Sequence, residues 1–278
     1  MPKAPHTLSI RDLVIEVDGR GGTRTVIDGL SLDVPRASAV ALVGESGSGK
    51  TLTALAVLGL LPRAATVRGG AVLFDGEDIL AAGEERLMAL RGDRIGMVFQ
   101  EPRAALNPLK QVGPQIGEVL QLHKGLGGSL VREQVLSLME MVGISDPQRS
   151  YATYPHQLSS GVLQRVLIAT ALACRPDLVI ADEPTSALDA TVQAQILDLL
   201  GRLRRDLRMS MLLITHNVGV VAALADSVAV LHGGRVIEAG DVREILTAPQ
   251  HPYTRSLLAA GGTGAPSRHR AAVERERP

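Results

Sequence analysis

The chain has 278 residues, with 29 Lys and Arg set against 29 Asp and Glu, so its formal net charge is zero. Hydrophobic residues at 45% and charged residues at 21% give ample material for a core and exclude wholesale disorder; without a basic excess, nothing points to nucleic acid or a membrane surface as a partner. The single cysteine, Cys174, excludes an internal disulfide and a Cys-cluster metal site, and it fits a reducing compartment.

Residues 8–17 and 26–34 read as strands around a Gly-rich turn at 19–22. The apolar run 39–43 reads as a buried strand, 44–49 as a loop, and 50–61 as an Ala/Leu-rich helix stopped by Pro62. Another β piece, 71–74, ends at the Asp75-Gly76 turn. From about 100 to 160, Pro and Gly punctuate a segment with two helices, 116–123 and 131–142, which reads as a helical lobe inserted in the core. Then come a helix (161–174), a buried strand (178–181), a helix (191–207), a strand (211–215) and a helix (218–225), an alternation that implies a parallel sheet with flanking helices. Residues 227–231 and 235–239 form a hairpin about Gly233-Gly234, and 261–278 reads as a disordered tail after a domain covering 1–260. The start, 1–12, lacks a signal-peptide apolar run, and the stretch 54–61 is too short to span a bilayer.

Two motifs carry chemistry. Gly44-Glu45-Ser46-Gly47-Ser48-Gly49-Lys50-Thr51 fits G-x-x-x-x-G-K-[ST] between a buried strand and a helix start. Glycines let backbone N–H groups turn onto phosphates, and the helix N-terminus adds its dipole. Lys50 then reaches the β- and γ-phosphates, and the Thr51 hydroxyl ligates Mg²⁺. Further on, the strand 178–181 runs into Asp182 and Glu183. Alone, two acids at a strand end are ordinary solvated groups. Paired with the phosphate loop, Asp182 is placed to hold Mg²⁺ and Glu183 to orient or deprotonate an attacking water.

Other segments narrow the class. Leu158-Ser159-Ser160-Gly161-Val162 resembles the L-S-G-G-Q signature of ABC ATPases, and Pro184 to Asp189 resembles that family's D-loop. Gln100 matches its Q-loop glutamine, and His216 its switch histidine. Singly, such a His is more often structural, such a Gln solvated, and Ser159 an ordinary helix cap; their roles rest on the set. The resemblance covers roughly residues 8 to 258. It implies an α/β fold: a P-loop NTPase core with an N-terminal antiparallel β subdomain and an inserted α-helical subdomain.

Carried over residue by residue, the resemblance puts ATP against Gly44, Glu45, Ser46, Gly47, Ser48, Gly49, Lys50, Thr51 and Thr53, with Asp189 also a nucleotide contact. Thr51, Gln100 and Asp182 hold Mg²⁺, and Glu183, His216 and Gln100 are catalytic. Family members work as head-to-tail pairs, so Ser159 and Gly161 serve the ATP on the partner's loop. Gln100-Glu101-Pro102 leading to Asn107-Pro108, and His251 to Leu258, resemble the dipeptide, oligopeptide and nickel importers. That implies a second ATPase subunit (a paralogue or a second copy), two transmembrane permeases, an extracytoplasmic substrate-binding protein, and a peripheral place on the cytoplasmic face of a bacterial plasma membrane. The short chain with one cysteine leans toward nickel and metal-chelate members; the rival is a non-transport ABC ATPase in a soluble complex.

The sequence departs from the pattern at several points. Val17 stands about where the family stacks an aromatic on adenine, which implies weaker nucleotide affinity. Ser160 and Val162 replace a Gly and a polar residue of the signature, which implies slower turnover of the ATP facing it. Arg36-Ala37-Ser38 stands where a Gly-Glu turn is common, and Asn217 where Asp is common; neither is given a function.

Overall fold

The structure is a computed structural model that describes residues 5–261, apart from Arg20 and Ala187. Of the expected disordered tail, 261–278, Gly261 is the last residue of a helix and 262–278 lies outside the described residues. Strands β1 (His6–Gly19) and β2 (Gly22–Pro35) form a long antiparallel pair. They are followed by β3 (Ala39–Val43), helix α1 (Lys50–Val57), β4 (Ala65–Phe74) and β5 (Glu77–Asp78). Then come α2 (Glu84–Leu90), β6 (Ile95–Val98), α3 (Pro102–Ala105), α4 (Val112–Lys124), α5 (Gly128–Met141) and α6 (Pro147–Tyr151). The rest comprises α7 (Ser160–Leu172), β7 (Leu178–Asp182), α8 (Ala190–Leu207), β8 (Ser210–Thr215) and α9 (Val218–Leu224). It ends with β9 (Ser227–His232), β10 (Arg235–Asp241), α10 (Val242–Thr247) and α11 (Pro252–Gly261).

Two sheets result. One is antiparallel, in the order β2-β1-β4-β5; the other runs β10-β9-β3-β8-β7-β6, parallel throughout except at β10. The strand period of two sorts the central residues. Val40, Leu42, Leu178, Ile180, Leu212 and Ile214 face the antiparallel sheet and α1, and join its apolar side chains in one core. Ala39, Ala41, Val179, Ala181, Met211 and Leu213 face the helices in the other. Small alanines on the helix side let α7 and its neighbours lie close to the sheet. The helices of the 102–172 stretch share this second core with α8, α9 and α10, so the segment is packed onto the main body rather than set apart from it.

Element boundaries differ from the sequence expectation in instructive ways. Helix α1 ends at Val57, well before Pro62, because Gly59 at φ 61° closes it, with Leu60 N–H donating to Leu55 O at 2.8 Å. Strand β4 starts at Ala65, not at 71: Val67 pairs with Ile15 and Ala65 with Val17. Helix α4 begins at Val112 because Pro114 falls within its first turn, where a missing N–H does no harm. The helix expected to end at Cys174 ends at Leu172.

Candidate functional site

The C-terminal ends of β3, β6, β7 and β8 meet the loop 44–49, and a cleft of about 550 Å³ opens there. Every residue of 44–51 except Ser48 lines it, together with Gln100, Asp182, Glu183 and His216. Val26, Leu52 and Leu257 complete the wall. Two glycines fix the loop against the sheets. A Cβ on Gly44 would stand 2.3 Å from the Leu231 carbonyl oxygen, and one on Gly49 would stand 2.3 Å from Ile27 Cδ1. Gly49 also adopts φ 104°, a backbone state that side chains resist.

Lys50 is the first helical residue, and its side chain is buried. Its Nζ donates to Gly44 O and to Glu45 O, both at 2.8 Å. Burial pushes its pKa below the usual lysine range, and the charges of Glu183, Asp182 and Glu45 oppose that shift. Asp182, the last residue of β7, is only 3% exposed. Burial raises its pKa above the usual carboxylate range; a Thr51 hydrogen bond and the Lys50 charge pull the other way, and Glu183 adds to the rise. Its Oδ1 has no hydrogen-bond partner among the described residues. A buried carboxylate oxygen left unpaired beside a threonine hydroxyl suits a bound cation.

Glu183 follows in the left-handed region, φ 46°, a conformation that costs an ordinary residue about 1–2 kcal/mol. Four contacts with β8 and its exit hold it there. Its N–H donates to Ile214 O at 2.8 Å. Its Oε1 accepts the His216 backbone N–H at 3.0 Å and lies 2.6 Å from His216 Nδ1. Its Oε2 accepts only a long bond, 3.3 Å, from the Thr215 hydroxyl. The carboxylate is therefore aimed and nearly buried, while the His216 ring stays largely exposed.

Other expected site residues fall elsewhere. Thr53 is fully buried and donates to Gly49 O at 3.1 Å, so its hydroxyl is turned from the cleft. Ser48 is half-buried and off the lining. Ser159, Gly161 and Asp189 form a second group outside the cleft. Ser159 caps α7 by accepting Val162 N–H at 3.4 Å, and Asp189 caps α8 by accepting Thr191 and Val192 N–H at 3.1 and 3.0 Å. Val192 joins them, since a Cβ on Gly161 would stand 2.7 Å from its Cγ1. Val17 is half-buried and does not line the cleft, whereas Val26 does. Asn217 caps α9 through Gly219 and Val220 N–H, which gives that position a structural reason. Ala37 sits at φ 55°, which explains why glycine suits its turn.

The comparisons with known proteins agree with one another. Residues 27–186 match the family model described as ABC transporter. The peptidoglycan transport ATP-binding protein YejF of Agrobacterium fabrum is 51% identical over 93% of this chain and 48% of its own length. The dipeptide transport ATP-binding protein DppD of Bacillus subtilis is 45% identical over 90% of this chain and 75% of its own. This chain thus spans about half of the first relative and three quarters of the second. Among solved structures, the ATP-binding cassette MJ0796, a dimer bound to ADP and Pi, superposes with a TM-score of 0.76 at 26% identity, covering 85% of this chain and 99% of that one.

Proposed function

Because the chain belongs to the ABC transporter family, we propose that it binds and hydrolyses ATP to energise an importer of peptides. The observation that carries the hydrolytic reading is the pair of strand-end acids facing Lys50 across the cleft: Asp182 buried with a free Oδ1, Glu183 pinned by Thr215 and His216. Backbone N–H groups of the loop and the start of α1 bind the phosphates, and Lys50 leaves its loop carbonyls for the β- and γ-oxygens. Thr51 and Asp182, with Gln100 on the facing wall, would hold Mg²⁺, which would supply neutralisation of the phosphate charge. Glu183 orients the attacking water and takes its proton. Oε1 is engaged by His216, so the weakly bonded Oε2 is the accepting atom.

Ser159, Gly161 and Asp189 lie outside the chain's own cleft and serve the nucleotide of a second ATPase subunit packed head to tail. The dimeric state of MJ0796 supports that arrangement. ATP favours the closed pair over the open one, and hydrolysis reopens it. The helical segment between β6 and α7 meets one of two permease subunits, and an extracytoplasmic binding protein delivers cargo to them. No helix among the described residues is long and apolar enough to cross a membrane, so the permeases supply the spans and this chain sits peripherally on the cytoplasmic face. The relatives' names put peptides and peptidoglycan ahead of nickel or metal chelates as cargo class. Gentle purification from native membranes tests the reading. Two multi-span permeases and an ATPase partner are expected; a soluble complex with ribosomes, DNA or metabolic enzymes would overturn the transport role.

A further inference from the structure

The segment His251 to Leu258 stands apart in the sequence, yet the hydrolytic chemistry above does not use it. The structure seats it behind the phosphate loop. The Glu238 carboxylate on β10 accepts the N–H groups of Gln250 and His251, at 2.6 and 3.1 Å, and fixes the entry to α11. The Tyr253 ring packs on the His232 ring with centroids 3.9 Å apart. Its hydroxyl accepts the backbone N–H of Glu45 at 3.2 Å, and one turn on, Leu257 lines the cleft. The Gly44–Glu45 peptide unit is thus held from both sides: Tyr253 takes its N–H, and Lys50 Nζ donates to its carbonyl, Gly44 O. A peptide plane is rigid, so freeing one end lets the whole unit rotate.

We propose that Tyr253 is a positioning residue for the phosphate loop: its hydroxyl fixes the Gly44–Glu45 peptide at the head of the loop, which keeps the loop in its phosphate-binding shape when Lys50 turns to the ligand, and α11 thereby sets the affinity for ATP. The inference rests on the ATPase reading. Tyr253→Phe in the full chain keeps the ring on His232 and removes only the hydroxyl, with its contacts to Glu45. ATP affinity, measured by titration, falls about 3–10-fold, the scale of one lost hydrogen bond. In the assembled transporter KM for ATP rises by a similar factor while kcat stays within about twofold. Without nucleotide, amide exchange at Glu45 accelerates while exchange in the core strands and the melting temperature hold. Ser256→Ala, on the same helix with its hydroxyl bonded to Pro252 O, leaves the affinity unchanged. Unchanged affinity and unchanged Glu45 exchange in Tyr253→Phe overturn the proposal. So does faster exchange throughout with a lowered melting temperature, which marks a general scaffold role. A wild-type chain that binds no ATP overturns the ATPase reading instead, and the Glu45 exchange still reports on the Tyr253 contact.

Discussion

The cleft under the phosphate loop buries its charges, whereas the group around Ser159, Gly161 and Asp189 leaves its polar side chains at the surface. In the cleft, Lys50 and Asp182 are buried, their pKa values are displaced by burial, and one carboxylate oxygen has no partner among the described residues. In the second group Ser159 and Asp189 are already engaged as helix caps, and both are exposed. Buried, unpaired charge is costly in the empty protein and is offset only when a ligand arrives. Exposed helix N-termini with their caps in place are stable alone and are ready to meet an anion brought by another molecule. The difference teaches that one chain carries two separate groups, a dehydrated cleft and a solvated pair of helix caps, which the proposed function assigns to binding and to donating.

Variants on each side break or sharpen that contrast. Glu183→Gln removes the proposed base and keeps the cleft; hydrolysis in the assembled transporter should fall about 10²–10⁴-fold while ATP still binds. A rate near wild type would remove Glu183 from its role. Gly161→Ala presses on Val192 at the start of α7, outside the cleft. It lowers turnover of the assembled complex about tenfold, worth about 1.4 kcal/mol of barrier. The lone chain's ATP affinity is the control, since the contrast requires it to stay put.

Asp182→Asn is the smallest effect and probes the cost of dehydration directly. The folded state holds the Asp182 proton more tightly than the unfolded chain does, because burial raises the folded pKa. Stability is therefore lost as pH rises from the usual carboxylate range through that raised pKa, and the loss is complete above it. At pH 7 the variant should melt higher than wild type without nucleotide, by about 2–4 °C per kcal/mol recovered. The gain should vanish at a pH below the usual carboxylate range. A lower melting temperature at pH 7 would show that Asp182 is stabilised in the empty cleft.

Much of the central sheet and the phosphate loop was legible in the sequence because short apolar runs such as 39–43 and 178–181 break abruptly into glycines or acids. The helix faces were less legible. Thr51 and Thr53 are two residues apart, which on a helix turns them about 200° from each other. The resemblance puts ATP against both, whereas the structure has at Thr53 a buried hydroxyl bonded to Gly49 O. The cleft wall was invisible for a different reason. Val26 and Leu257 come from opposite ends of the chain and carry no polar signature, so only the fold brings them together. Thr215, which braces Glu183, hid as one more β-branched strand residue. The start of β4 was missed because Gly69 and Gly70 look like a turn, although β1 bulges beside them and keeps the pairing.

The most direct test of two separate halves is an ATP titration of the full chain alone, comparing wild type, Gly44→Ala and Gly161→Ala. A Cβ at position 44 collides with the Leu231 backbone and collapses the loop, so Gly44→Ala should weaken binding at least about 100-fold. Gly161→Ala should bind as wild type does. If the two variants lose ATP equally, the signature group belongs to the same site as the phosphate loop, and the division of the chain into a binding half and a donating half is wrong.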